Sequence, residues 1–168
     1  MFAFNFIFPF PLNMAVSICS LNVNGIAEFP KRDKVFNHLK RQNFDIYLLQ
    51  ETHLPDVTKG KLCEKHWGGH ACWSPGTTRS AGVGLLIHPR STVKIENFSI
   101  DTAGRVVTAK IKADTRSFQI LNIYAPNHPS ERATFFANLW RYVVHNTLDI
   151  VYMDLQRLVI IKIGRAHV

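Results

Sequence analysis

The sequence predicts an α/β fold with mixed or mostly antiparallel β-sheets. The chain has 168 residues, which is enough for one domain with a substantial core and too few for two ordinary domains. Its hydrophobic fraction of 46% and charged fraction of 19% are typical of a globular protein. Apolar patterning indicates a helix after the first strand, then several strands in succession, then a second helix. This order favours the α/β class.

The first half of the pattern begins with a strand at residues 16–23 (VSICSLNV), indicated by its β-branched content. Residues 31–42 predict a short helix whose apolar face carries Val35, Phe36 and Leu39. Five basic residues of this helix are expected to face outward: Lys31, Arg32, Lys34, Lys40 and Arg41. Residues 45–50 (DIYLLQ) predict a short buried strand.

The second half predicts a strand at residues 81–89 and a hairpin made of residues 105–113 and 117–126, joined by the turn ADTR. Pro129 opens a predicted helix. Its apolar residues recur at helical spacing: Phe135, Phe136, Leu139, Trp140 and Val143. Residues 148–151 (LDIV) begin a further strand.

The two ends of the chain do not share this patterning. Residues 1–13 are apolar, contain Pro9 and Pro11 and are too short to span a bilayer, so we expect a leader outside the fold, with Met14 as the natural start. Residues 152–168 have no clear period, and their last six letters, IGRAHV, resemble a translated sequencing adaptor. The domain is therefore predicted to occupy residues 14–151.

The net charge and the cysteine count indicate which partners and which cellular compartment to expect. A net charge of +8 favours nucleic acid or another polyanion, although a solvated positive face explains it equally well. The same alternatives apply to the basic helix 31–42. Three cysteines do not form a disulfide framework, which predicts an intracellular protein, nuclear or cytoplasmic. Neither a membrane nor an obligate protein partner is predicted.

Polar residues follow three of the predicted strands. Asn22 and Asn24 end the first strand, Glu51 follows the second, and Tyr124 and Asn127 follow the hairpin. In α/β folds, ligands tend to bind at the carboxyl ends of strands. One carboxylate with carboxamides and a phenol suits a hard cation such as Mg²⁺. Taken singly, Asn22 and Asn24 are more typical of a turn before Gly25, Tyr124 of a half-buried strand aromatic, and Glu51 of a solvated strand end.

The three motifs SLNVNG, LLQETH and NIYAPN resemble the endonuclease/exonuclease/phosphatase superfamily, and in particular the apurinic-type endonuclease domain of non-long-terminal-repeat retrotransposons. The resemblance extends over residues 15–151 and includes RSAGVGLLI and GRVV. It implies a two-sheet sandwich of mixed, mostly antiparallel strands flanked by helices, a four-layer α/β/β/α arrangement. It also implies Mg²⁺-dependent nicking of DNA, with Mn²⁺ as an alternative ion.

The resemblance also implies roles for four residues. Asn22 and Glu51 correspond to residues that bind the metal and order the attacking water. Tyr124 corresponds to a residue that lies against the scissile phosphate, and Asn127 to a supporting neighbour.

The sequence departs from the superfamily pattern after residue 151. It contains neither Gly-Asp-Phe-Asn, which orients the nucleophilic water, nor Ser-Asp-His, which supplies a histidine to the phosphate. Asp154 lies near the expected aspartate but lacks the flanking Gly and Asn, and His167 lies in the adaptor-like end, so neither is assigned a role. The chain is therefore expected to be the first two-thirds of the domain, a truncated fragment of low activity.

Two alternative functions remain. One is a catalytically inactive, nucleic-acid-binding remnant. The other is a phosphodiesterase of the same superfamily that acts on abasic DNA, RNA or a phospholipid head group. A zinc site made of Cys63, His66, His70 and Cys72 is disfavoured, because structural zinc sites pair their ligands across a longer gap.

Overall fold

A computed structural model describes the backbone of residues 3–9, 15–142, 150–154 and 157–161, and the side chains of residues 16–142. The first sheet contains five strands, in the spatial order β1-β2-β3-β5-β4, with these bounds: β1 Ala3–Pro9, β2 Ala15–Asn22, β3 Ile46–Gln50, β4 Ala71–Ser74 and β5 Val83–Ile87. The second sheet also contains five, in the order β10-β9-β8-β7-β6: β6 Lys94–Ile100, β7 Val106–Ala113, β8 Arg116–Ile123, β9 Ile150–Asp154 and β10 Arg157–Ile161.

Most strand pairs are antiparallel, as the sequence predicts. The two parallel pairs among the described strands are β2 with β3 and β8 with β9. The predicted hairpin is confirmed, since β7 and β8 pair from Ala113↔Arg116 to Val106↔Ile123. The strand predicted at residues 148–151 overlaps β9 at residues 150 and 151, and residues 148 and 149 lie outside the described residues.

Three helices flank the sheets: α1 (Phe29–Gln42), α2 (Val57–Trp67) and α3 (Pro129–Ala137). The parallel β2–β3 pair is connected through α1, as parallel strands require a crossover. Helix α2 and strands β4 and β6 are absent from the predicted elements. No helix among the described residues is both long and apolar enough to cross a membrane.

The core divides into three layers of side chains, which confirms the four-layer α/β/β/α architecture. Val16, Leu48 and Ile120 belong to a cluster between the two sheets. Phe36 of α1 and Trp67 of α2 pack in a second cluster against the outer face of the first sheet. A smaller third cluster joins the outer face of the second sheet to Leu139, Phe135 and Tyr142.

The structure corrects two details of the predicted helices. Arg32 of α1 was expected to face outward, but it is only 8% exposed because its guanidinium finds acceptors inside the fold. The predicted helix from Pro129 ends at Ala137, and a 3-10 turn, Leu139–Tyr142, follows. Trp140 is consequently 60% exposed, because the turn breaks the helical spacing that would place it inward. Val143 lies outside the described residues.

The ends of the chain carry strands. Residues 1–13 were expected to lie outside the domain, whereas Ala3–Pro9 pairs along its whole length with β2. Residues 152–168 were expected to form an aberrant tail, and part of that range lies in β9 and β10, which pair with one another. The boundaries at residues 14 and 151 stay a prediction.

Candidate active site

The carboxyl ends of β2 and β3 bring Asn22 and Glu51 to the same edge of the first sheet. Asn22 is paired with Gln50 in the parallel register, so Glu51 is the next residue beyond that pair. Backbone hydrogen bonds continue past the strand ends, from Val23 N to Gln50 O (3.0 Å) and from Gly25 N to Glu51 O (2.6 Å). The two loops therefore leave the sheet together and keep their residues side by side.

Glu51 joins the two sheets through Tyr124. The residue has a φ of +53°, an uncommon value for a non-glycine residue, and its side chain is partly buried. Its Oε1 accepts a hydrogen bond from the Tyr124 hydroxyl at 2.8 Å. Its Oε2 lies 3.9 Å from Nε2 of His53. The carboxylate thus sits between a phenol from the second sheet and an imidazole from its own loop.

Tyr124 is held from the second sheet by Arg105. The Tyr124 N–H donates to Arg105 O at 2.8 Å, and Arg105 Nη1 donates to Tyr124 O at 3.1 Å. The guanidinium carbon lies 5.5 Å from the centre of the tyrosine ring. Arg105 therefore fixes both the backbone and the ring of the residue that meets Glu51.

The pKa of Tyr124 is raised above the ordinary value of 10.0. Burial of the phenol is the largest cause, and the hydrogen bond and negative charge of Glu51 act in the same direction. A hydrogen bond with the side chain of Asn127 and the charge of Arg105 lower it in part. The phenol consequently keeps its proton at neutral pH and stays a hydrogen-bond donor.

Asn22 and Asn127 lie at the border of this cluster. The Oδ1 of Asn22 accepts the Asn24 N–H at 2.9 Å, which orients the carboxamide and leaves a second lone pair on the oxygen. Asn127 is exposed and reaches the phenol of Tyr124 with its side chain. The structure thus brings Glu51, Tyr124 and Asn127 into one connected group, with Asn22 on the adjoining strand end.

A buried amide pair fixes the distance between the two sheets beneath this group. Gln50 and Asn122 are fully buried, and Gln50 Nε2 donates to Asn122 Oδ1 at 2.6 Å. Asn122 Nδ2 in turn donates to Leu49 O at 2.9 Å and to Gly84 O at 2.8 Å. Because Gln50 precedes Glu51 and Asn122 lies two residues before Tyr124, this pair sets where the carboxylate and the phenol meet.

The donor set at this edge fits a hard divalent cation. Mg²⁺ binds through one or two carboxylates and keeps several waters, so one carboxylate with neighbouring carboxamide oxygens is sufficient. Among the described residues, no group of three or more His, Cys, Asp and Glu side chains could hold a metal ion. The described side chains of these types therefore do not form a complete ligand set. The side-chain oxygens of Gln50 and Thr52, on either side of Glu51, are buried without a partner in the described part of the chain. A bound water or ion is one explanation for a buried polar atom that lacks a protein partner.

The sequence reasoning missed three residues of the site: His53, Arg105 and Asn122. His53 lies in the motif QETH, two residues after Glu51, and this proximity was the available signal. Arg105 lies in the motif GRVV, to which the sequence analysis assigned no role. Asn122 is an amide inside an apolar strand, SFQILNI, and a buried polar residue is the signal that could have identified it.

The run of cysteines and histidines between residues 63 and 72 has other uses in the structure. Cys63 and Cys72 are buried, and Cys72 Sγ lies 3.8 Å from Leu85 O. His66 accepts from Arg32 Nε at 3.2 Å through Nδ1 and lies 3.1 Å from Asp33 through Nε2. His70 is exposed.

Two sheets packed between helices, with polar strand ends meeting at one edge, place this chain among the four-layer α/β/β/α sandwich folds. The chain belongs to the endonuclease/exonuclease/phosphatase family, whose model matches residues 19–153. It is also 29% identical over 137 residues to "Transposon TX1 uncharacterized 149 kDa protein" of Xenopus laevis. That match covers 81% of this chain and 10% of the transposon protein.

Solved structures of a similar fold include an AP endonuclease and a 3'-5' exonuclease. The catalytic domain of Xenopus laevis APE2 matches with a TM-score of 0.61 and 16% identity, covering 82% of this chain and 57% of that one. The AP endonuclease LMAP of Leishmania major gives 0.62 and 16%, covering 82% and 54%. The 3'-5' exonuclease NExo of Neisseria meningitidis gives 0.59 and 22%, covering 82% and 56%. The chain thus spans a tenth of the transposon relative and just over half of each of these structures.

Proposed function

We propose that this chain is part of a retrotransposon protein's nicking endonuclease domain, which hydrolyses phosphodiester bonds in DNA with the help of Mg²⁺ or Mn²⁺. The observation that carries the proposal is the hydrogen bond between Glu51 and Tyr124, which joins the ends of strands from two sheets at the edge where Asn22 also ends its strand. Membership of a nuclease and phosphatase family and similarity to a transposon protein support it.

Glu51 and Asn22 are the residues that would hold the ion, through carboxylate and carboxamide oxygens. The bound ion would supply Lewis-acid polarisation of a phosphate oxygen. Burial, and then the hydrogen bond and charge of Glu51, raise the pKa of Tyr124, so in the metal-free protein the phenol adds no negative charge where a phosphate would bind. Arg105 and Asn127 position that phenol, the first through the backbone and ring and the second through its side chain.

The second candidate function is nucleic-acid binding without cleavage. The observation that favours it is that the residues after LDIV read YMDL and not the Gly-Asp-Phe-Asn whose counterpart in the superfamily orients the water. Residues that act as a unit have strongly non-additive effects on catalysis. We therefore expect the 168-residue chain to bind metal and DNA while turning over little or no substrate.

A supercoiled plasmid assay with Mg²⁺, run beside a fluorescence-anisotropy measurement of duplex binding, tests both candidates. We expect salt-dependent binding and nicking near background for the chain as given, with metal affinity lost in Glu51→Gln. Nicking that requires both Mg²⁺ and Glu51 would establish the nuclease and refute the expected low activity. A chain that binds neither Mn²⁺ nor DNA would contradict both candidates.

A further inference from the structure

Arg32 is a buried cation with no carboxylate partner. It lies in the first turns of α1 and is 8% exposed. Within residues 16–142, none of the ion pairs involves its guanidinium. Since a buried charge is costly unless hydrogen bonds compensate it, the groups that it contacts show what it stabilises.

The guanidinium holds the loop of residues 23–28 that connects β2 to α1. Arg32 Nη1 donates to Ala27 O at 2.7 Å and to Ile26 O at 3.2 Å. The neighbouring Lys31 Nζ donates to Asn24 O in the same loop. The side chains of Lys31 and Arg32, at the start of α1, therefore hydrogen-bond to three carbonyl groups of the loop that follows Asn22.

His66 of α2 fixes the guanidinium in this position. Its Nδ1 accepts from Arg32 Nε at 3.2 Å, so the ring proton is on Nε2, which donates to Asp33 Oδ1 at 3.1 Å. The ring of Phe29 stacks on His66, with centroids 5.0 Å apart and planes at 12°. The Arg32 guanidinium carbon lies 5.5 Å from the centre of the Phe29 ring. Both hydrogen-bonding sides of the imidazole are engaged, and Arg32 is held by a second helix.

The loop needs such a restraint because its backbone is in an uncommon conformation. Asn24 and Gly25 have consecutive positive φ angles of +46° and +85°. In this conformation the Asn24 N–H reaches Asn22 Oδ1, and Ile26 N–H reaches Thr52 O at 2.9 Å. The loop is bonded to the segment after β3 on one side and to Arg32 on the other.

We propose that Arg32 is a positioning residue that, with His66 as its acceptor, holds the loop of residues 23–28 in the conformation that aims the Asn22 carboxamide. The connection runs from the Arg32 guanidinium to the loop carbonyls and from the Asn24 N–H to Asn22 Oδ1. The restraint on the loop follows from these contacts. Its consequence for metal affinity rests on the proposed function.

Amide hydrogen exchange followed by NMR tests the restraint without metal or substrate. Arg32→Lys keeps the charge but not the planar fork that spans His66 Nδ1 and the loop carbonyls. We expect exchange at Gly25 and Ile26 to accelerate about tenfold or more, the size of a lost charge-assisted hydrogen bond, while amides of β7 and β8 keep their rates. Lys34→Ala, an exposed change on the same helix, is the matched control and should leave the loop unchanged. Unaltered exchange at Gly25 and Ile26 in Arg32→Lys overturns the proposal.

Mn²⁺ titration then tests the consequence for the candidate site. Loss of an outer contact to a metal ligand typically reduces affinity about 10- to 100-fold, and we expect Arg32→Lys to fall in this range. If wild-type chain binds no Mn²⁺, the proposed function fails while the exchange result still decides the role of Arg32. His66→Leu provides a milder variant at a partly exposed side chain, should Arg32→Lys not fold. It should accelerate the same two amides, and exchange at wild-type rates there would remove His66 from the proposal.

Discussion

Replacing Asn122 with alanine should remove the buried amide connection between the two sheets. The side chain is fully buried and makes three short hydrogen bonds, to Gln50 Nε2 and to the carbonyls of Leu49 and Gly84. Alanine can make none of them. Gln50 Nε2 keeps Ser20 Oγ at 3.0 Å, whereas the two carbonyls lose their amide donor.

The expected loss in the free energy of unfolding is about 3 kcal/mol. The variant loses three buried hydrogen bonds, and at about 1 kcal/mol each they give this figure. With an m-value of about 2 kcal/mol/M, the midpoint of urea denaturation should fall by about 1.5 M at unchanged slope. Asn97→Ala, which truncates an exposed amide on β6, should stay within about 0.5 kcal/mol of wild type.

Asn122→Asp separates hydrogen bonding from side-chain volume. The aspartate has nearly the same shape but, when ionised, presents only acceptors to Leu49 O and Gly84 O, so it should destabilise at least as much as alanine. A loss below about 1 kcal/mol in both variants would refute the argument that the buried amide holds the sheets together.

Three further predictions concern the candidate site and its support. Glu51→Gln should lower the pKa of Tyr124 towards its ordinary value, because it removes a charge that favours the neutral phenol; an unchanged ultraviolet titration of this tyrosine would contradict the contact. Gly82→Ala should lower the free energy of unfolding, measured in urea, more than Gly68→Ala does. Both glycines have a positive φ, but only at Gly82 would the new Cβ lie 2.4 Å from the Thr52 hydroxyl. Equal losses of stability in the two variants would refute that contact. Burial raises the pKa of Asp45, but hydrogen bonds from Ser17 and Ser91 outweigh it, and the pKa lies below the ordinary value of 3.8. The contribution of this carboxylate to stability is therefore complete above about pH 4 and is lost as the pH falls through the lowered pKa. Asp45→Asn should therefore flatten the acid limb of the stability profile, and an unaltered limb would count against this role.

Much of the fold was predictable because its signals are local. The β7–β8 hairpin follows from a period of two on either side of a turn, and α1 follows from its apolar spacing. The helix α2 lacked such a signal, because only Gly60, Cys63 and Trp67 are buried along it. The end of α3 at Ala137 was missed because Leu139 and Trp140 continue the apolar spacing although the backbone tightens into a 3-10 turn.

The candidate site was predictable in part for the same reason. Glu51 stood out as a carboxylate after a buried strand, and Tyr124 as the end of another. Arg32 was misplaced because a helical pattern assigns every charged residue to the outer face. Its burial depends on hydrogen bonds to two loop carbonyls and to an imidazole of α2. The apolar spacing along α1 carries no information about these partners.

Periodicity and short motifs are properties of neighbouring residues, so the amino-acid sequence was sufficient for the fold class, the polar strand ends and the family resemblance. The packed structure was needed to show that Glu51 meets Tyr124 across 73 positions of sequence, that Gln50 meets Asn122 beneath them, and that Arg32 turns inward. These contacts join different sheets and helices, so their geometry is fixed by how the layers pack and not by the order of residues along any one element.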